Sequence, residues 1–164
     1  MHRATSGDTA PFEALFRRHA PRLRRMAYLL LRSAPAADQA VEETRRRGLE
    51  HIRTYRGEAD PRAWLSSITL EICRRMNVEA AGPEAKDQEE EKRPLTAVVG
   101  ELTHAQREVF VLHFVEGLPY QELARMLNIR PGAARALAHR AKRLLQKESG
   151  MALEDLLRAE RKSA

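Results

Sequence analysis

The 164-residue chain holds a single cysteine, Cys73, and that scarcity removes whole classes of protein. One thiol cannot close an internal disulfide or build a cysteine-based zinc site. Its place on an apolar helical face, between Ile72 and Met76, points to a buried structural thiol. No apolar stretch approaches the length of a membrane span, and the first residues lack the apolar core of a signal peptide. A cytoplasmic protein with no membrane insertion is expected. Catalytic signatures are missing too. The histidines at 2, 19, 51, 104, 113 and 139 show no paired metal-ligand spacing with a carboxylate. There is no glycine-rich phosphate loop and no nucleophile motif. Glu42 and Glu43 are adjacent, so on a helix they point to different faces and cannot act as a local catalytic pair. The expectation is a non-enzyme with no catalytic residues, no metal ligands and no cofactor. Strand-like alternation is absent throughout.

What the chain does have is unevenly placed charge. Residues 1–78 carry fifteen Lys and Arg against nine Asp and Glu, a net of +6. Residues 79–101 carry three against seven, a net of −4, and residues 102–164 eleven against seven, a net of +4. Two basic lobes thus flank an acidic connector, EAAGPEAKDQEEEKRP, which lacks apolar periodicity and reads as a flexible tether. Net positive charge favours association with polyanions but says nothing about fold.

Residues 102–145, LTHAQREVFVLHFVEGLPYQELARMLNIRPGAARALAHRAKRLL, are the most informative stretch. Thr103 and Gln106 have the spacing of a capping box. Val109, Leu112 and Phe110, Phe114 recur at helical spacing, and Gly117 stops that helix in the left-handed conformation a C-terminal cap needs. Pro119 suits the first turn of a short helix whose face is Leu123, Ala124 and Leu127. Asn128, Ile129 and Arg130 make a turn, and Pro131 opens the last helix. There Ala134, Leu137, Ala138, Ala141, Leu144 and Leu145 form one stripe. Arg135, His139, Lys142 and Arg143 lie away from it, with Arg140 on the flank. A helix with cations outward is ordinarily just a solvated helix. The ordered set of cap, glycine stop, short helix, turn and cationic helix is instead the layout of a helix-turn-helix, whose second helix enters the major groove.

The N-terminal lobe reads as helical as well. Phe12, Leu15, Phe16, His19, Leu23, Met26, Ala27 and Leu30 hold one face, and Pro21 is expected to kink or split that helix near Ala20. A second helix, from about residue 36 to 53, turns Ala37, Ala40, Val41, Thr44, Gly48 and Ile52 inward, and such small residues let a neighbouring helix come close. Asp60 and Pro61 start a third, with Trp64, Leu65, Ile68, Ile72 and Met76 as its core. The fold class is all-α: two small helical domains joined by a flexible linker, the C-terminal one a helix-turn-helix.

From about Phe12 to Leu145 the chain resembles the extracytoplasmic-function sigma factors of bacteria. FEALFRRHAPRLRRMA and AVEETRRRGLEHIRTYRGEADPRAWLSSI are similar to the family's region 2, and LTHAQREVFVLHFVEGLPYQELARMLNI to its region 4. The resemblance implies a polymerase- and −10-binding domain over residues 1–78, an acidic linker over 79–95 and a −35-binding helix-turn-helix over 96–148. A tail over 149–164, beyond the resemblance, carries a short amphipathic helix expected to pack on the C-terminal lobe. Asp38, Glu42, Glu43 and Thr44 would contact the polymerase clamp. Tyr55, Arg56 and Glu58 would hold a flipped −10 base, which needs a π-face and polar edges, while Trp64 is assigned to the core. Arg130, Arg135, His139, Arg140, Lys142 and Arg143 would contact −35 DNA, with Arg135 on a base edge. The implied partners are core RNA polymerase, promoter DNA and an anti-sigma factor.

The chain departs from the family pattern at informative places. Where members usually read roughly Asp-Ala-Glu-Asp, this chain has Ala36, Ala37, Asp38 and Gln39, which should weaken docking on a basic clamp surface. Glu42 replaces the usual glutamine. Arg45, Arg46, Arg47 and Leu49 replace a segment that normally includes phenylalanine, leucine and tryptophan. In the last helix Leu137 stands where an arginine is expected; its periodicity assigns it to the core stripe, so a cation there should destabilise the lobe. Two alternatives stay open beside an initiation factor: a sigma-like DNA-binding regulator, and a decoy that binds an anti-sigma factor without autonomous initiation.

Overall fold

The computed structural model describes residues 9–57, 60–79 and 94–163, and every regular element among them is helical. The chain divides into two compact units, residues 1–84 and 85–164. Among the described residues no helix is long and apolar enough to cross a membrane.

Three helices build the first unit: α1 (Ala10–Leu31), α2 (Ala34–His51) and α3 (Pro61–Glu79). Pro21 lies inside α1, and of the kink or split expected there the split does not occur. Phe12 and Phe16 before it and Leu23, Met26 and Ala27 after it are all buried. Packing on one core therefore keeps the helix continuous although Pro21 donates no hydrogen bond. Arg32 ends α1 in the left-handed conformation (φ 56°), its N–H donating to the Tyr28 carbonyl at 2.7 Å. Ser33 then caps α2 by accepting from the Ala36 N–H at 3.3 Å, so the helix begins two residues earlier than its apolar pattern suggests. At the start of α3, Asp60 Oδ1 accepts from the Arg62 N–H at 2.9 Å.

Small residues set the spacing of this unit. Ala37, Ala40 and Thr44 of α2 are fully buried. A Cβ on Gly48 would sit 2.8 Å from Phe12 Cζ, and the buried Phe12 ring packs 6.0 Å from Phe16 and cannot simply move aside. Gly48→Ala is therefore expected to lower the melting temperature, with an overpacking cost of about 1–3 kcal/mol against a helix-propensity gain of about 1 kcal/mol. Combining it with Phe12→Leu should cost less than the two single changes added, as thermal melts of the cycle would show.

The second unit opens with α4 (Pro94–Val99), a helix without a clear sequence signal. Leu95 is fully buried, so the linker cannot extend through residue 95 as expected; the apolar pair Leu95 and Val99 belongs to the core. Thr103 and Gln106 form the capping box at the start of α5 (His104–Phe110), with reciprocal bonds of 3.3 and 3.0 Å. Arg107, buried, reaches back to the Gly100 and Leu102 carbonyls. The chain then widens into a π-helical turn, Val111–Val115, closed by the Glu116 N–H on the Val111 carbonyl at 2.9 Å. Gly117 (φ 72°) stops it, and α6 (Tyr120–Leu127) follows, ended by Asn128 at φ 54°. Next come α7 (Pro131–Ser149) and α8 (Leu153–Ser163). Leu153 and Leu156 are buried, and α8 packs on α4 and α7.

Candidate nucleic-acid and partner interfaces

Helix α7 separates its residues sharply by face. Ala134, Ala138, Ala141 and Leu145 are fully buried. Arg130, Arg135, His139, Arg140 and Arg143 are exposed, and Lys142 is half-buried. None of these cations forms an ion pair with another described residue. Arg140, Arg143 and Lys147 also line an open groove of about 540 Å³, with Gln106 of α5, Leu144 and Gln146. Leu137 is only half-buried, which corrects the expectation of a core leucine. A long cationic side chain there can carry its charge past the stripe into water, so the cost is smaller than for a buried charge.

Arg135 has an aromatic neighbour that no sequence motif announces. Its guanidinium carbon lies 5.7 Å from the centre of the Tyr120 ring. Tyr120 stacks on His113 at 4.0 Å, with an interplanar angle of 23°. Helical periodicity cannot reveal this cluster, because the π-helical turn shifts His113 out of α-helical phase.

On the first unit, each carboxylate expected to face a partner is already paired. Asp38 accepts from Arg24 Nε at 2.6 Å. Glu42 is 2.8 Å from Arg45, which also reaches Glu13 at 2.9 Å. Glu43 gathers three guanidinium groups: Arg46 at 2.7 Å, Arg47 at 2.9 Å and Arg75 at 3.5 Å. Its hydrogen bonds from Arg46 and Arg47 hold the carboxyl down to about 2, and Arg45 likewise lowers Glu42. The i,i+3 and i,i+4 pairs could have been read from the sequence; Arg24 and Arg75 come from other helices and could not.

Thr44 is a correction. It is fully buried, its Oγ1 donating to the Ala40 carbonyl at 2.7 Å and lying 3.1 Å from Thr69 Oγ1. It joins α2 to α3 and cannot touch a partner. In the loop after α2, Tyr55 is half-buried against Trp64, ring centres 4.7 Å apart, and burial pushes its phenol up. One face of Tyr55 is thus covered. Trp64 packs on the Phe12, Phe16, Leu23 and Leu65 cluster, as a core residue does. Arg56 is exposed, and Glu58 lies outside the described residues. Among the described residues no group of three His, Cys, Asp or Glu side chains is placed to hold a metal ion.

A helix-turn-helix with a bare cationic outer helix, beside a separate three-helix unit, defines a modular DNA-binding transcription protein. The Sigma-70 region 2 family matches residues 15–76, and the Sigma-70, region 4 family matches residues 92–145. The chain is 31% identical to the RNA polymerase sigma factor CarQ of Myxococcus xanthus, over 85% of this chain and 90% of that protein. It is 26% identical to the ECF sigma factor SigM of Mycobacterium tuberculosis, over 88% and 80%. Two solved structures share the fold. CnrH in complex with the cytosolic domain of CnrY gives a TM-score of 0.72 at 24% identity, over 87% of this chain and 89% of that one. RpoE of Bartonella quintana in complex with the anti-sigma factor NepR gives 0.70 at 20%, over 84% and 95%. This chain belongs to the extracytoplasmic-function sigma factors. It is a transcription initiation factor that binds RNA polymerase and recognises promoters.

The paired state of Glu43 has a pH consequence. Its carboxyl sits at about 2 in the fold against an ordinary 4.5, so the pairing stabilises the fold above about pH 4.5 and is lost as pH falls toward 2. Glu43→Gln should flatten this part of the acid dependence. Thermal melts from pH 5 down to 2 would register it; identical slopes in both proteins would show that the pairing contributes nothing.

Proposed function

We propose that the chain delivers core polymerase to promoters through three surfaces. Asp38, Glu42 and Glu43 on α2 dock on the basic clamp of polymerase. Tyr55, with Arg56 and Glu58, receives an unpaired −10 base. Arg130, Arg135, His139, Arg140, Lys142 and Arg143 hold −35 DNA. In domain terms, residues 1–78 serve polymerase and the −10 element, the linker runs from 79 to 93, 94–148 serve the −35 element and 149–164 form the tail. The observation that carries this reading is the row of cations on α7, bare of ion pairs to described residues, above a fully buried alanine stripe. A helix anchored on one side and cationic on the other suits a polyanion groove. The chain works in the cytoplasm and performs no covalent chemistry of its own. An anti-sigma factor is a further partner, in keeping with the solved complex of RpoE with the anti-sigma factor NepR.

The test is run-off transcription with purified core polymerase on DNA upstream of the protein's own gene. A defined transcript is expected. No transcript, together with capture of an anti-sigma factor, would favour the decoy instead. Docking has its own signature. Glu43→Lys should lower the affinity for core polymerase, and Arg46→Gln, which frees Glu43 from one partner, should raise it. Opposite signs cannot both arise from damage to the fold, and equal affinities would remove α2 from the interface.

On the DNA side, Arg135→Ala should relax preference at one −35 position, because a bidentate base contact is worth about 1–3 kcal/mol of discrimination. Arg143→Ala should weaken all sequences alike and reduce the salt slope by about one unit. Binding titrations of the holoenzyme at several salt concentrations separate the two roles.

A further inference from the structure

We infer that Tyr120, supported by His113, is a positioning residue that aims Arg135 for base reading, an inference that rests on assigning Arg135 to a base edge. Phosphate contacts require charge but little direction, whereas a bidentate contact to a base requires a guanidinium held at a fixed angle. An arginine on an exposed helix face is rotamer-rich and must be ordered on binding. Arg135 has a device that limits this freedom. Its guanidinium lies over the Tyr120 ring, within the range of a cation–π contact. Among the described residues, no other α7 cation assigned to DNA has such a contact with a ring.

The rings continue inward to the core. Tyr120 stacks on His113 at 4.0 Å, His113 meets the edge of Phe114 at 4.8 Å, and Phe114 packs on Phe110 at 5.3 Å. Phe110 is fully buried. The His113 ring is fixed by donating Nδ1–H to the Leu118 carbonyl at 2.8 Å. That carbonyl is brought into place by the π-helical turn, where the Leu118 N–H bonds the Leu112 carbonyl at 3.0 Å. Single π-turns inside helices mark functional sites more often than chance. Here the turn offsets His113 so that it lies against the first residue of α6, and the ring of that residue faces Arg135. The relay runs from the buried core to the side chain that reads the base.

The experiment uses holoenzyme reconstituted from the full chain and core polymerase, presented with duplexes in which the upstream element is randomised. Selection is compared for the native protein, Arg135→Ala, Tyr120→Phe, Tyr120→Leu and the double variant of Arg135→Ala with Tyr120→Leu. Tyr120→Phe keeps the ring and should retain the native preference. Tyr120→Leu should relax preference at the position relaxed by Arg135→Ala, roughly two- to five-fold, as expected for an exposed cation–π contact. The salt slope should stay native, and the double variant should be no worse than Arg135→Ala alone. Should Tyr120→Leu lower the melting temperature, His113→Gln gives the second reading. It removes the stacked ring while an amide N–H can still reach the Leu118 carbonyl, and it should relax the same position. Relaxed preference with Arg135→Ala but native preference with Tyr120→Leu and His113→Gln overturns the relay and leaves Arg135 as a base reader. If Arg135→Ala itself changes nothing, the assignment of Arg135 falls and the relay with it.

Discussion

Close helix approach across residues with little or no side chain underlies both units. In the first, Ala37, Ala40 and Gly48 let α2 close on its neighbours until the Phe12 ring reaches the Gly48 backbone. In the second, Ala134, Ala138 and Ala141 do the same for α7. A helix seated on alanine and glycine buries little apolar area of its own, so its position is fixed by fit more than by bulk. It also leaves the long side chains of the opposite face free to point outward. The faces proposed as interfaces are the outward sides of two helices whose inward faces are small.

The two faces then diverge electrostatically. On α2, cations and carboxylates alternate at i,i+3 and i,i+4, and they neutralise one another within the chain. A basic partner meeting this surface must compete with arginines already in place. On α7 the cations lie along a helix with few acids near them, so they form no ion pairs with described residues and remain available to phosphate. Exposed ion pairs are individually weak. For the proposed docking, the α2 network therefore bears more on partner choice than on stability.

Much of the architecture was legible in the sequence because it is local. The Thr103 and Gln106 cap, the Gly117 stop, the Asn128 turn and the alanine stripe of α7 each depend on residues within one or two turns. The start of α2 was misjudged because Ser33 carries the cap while the apolar pattern begins later. Pro21 looked like a break because its missing hydrogen bond is local, whereas the packing that spans it is not. Leu95 looked like linker because a six-residue helix is too short to show a period.

By itself, then, the sequence determined every long helix, most of the caps, which faces are apolar and which carry charge, and the family to which the chain belongs. These follow from backbone sterics and from neighbours along one helix. What stands opposite each face is a different question, and only the tertiary structure decided it. Thr44 meets Thr69 across twenty-five residues, and Asp38 meets Arg24 across fourteen. Arg135 of α7 meets the Tyr120 ring of α6, which in turn stacks on His113 in the π-helical turn. Periodicity gives a side chain its direction but not its partner, because the partner is chosen by how separate helices dock and by the few residues that break helical phase.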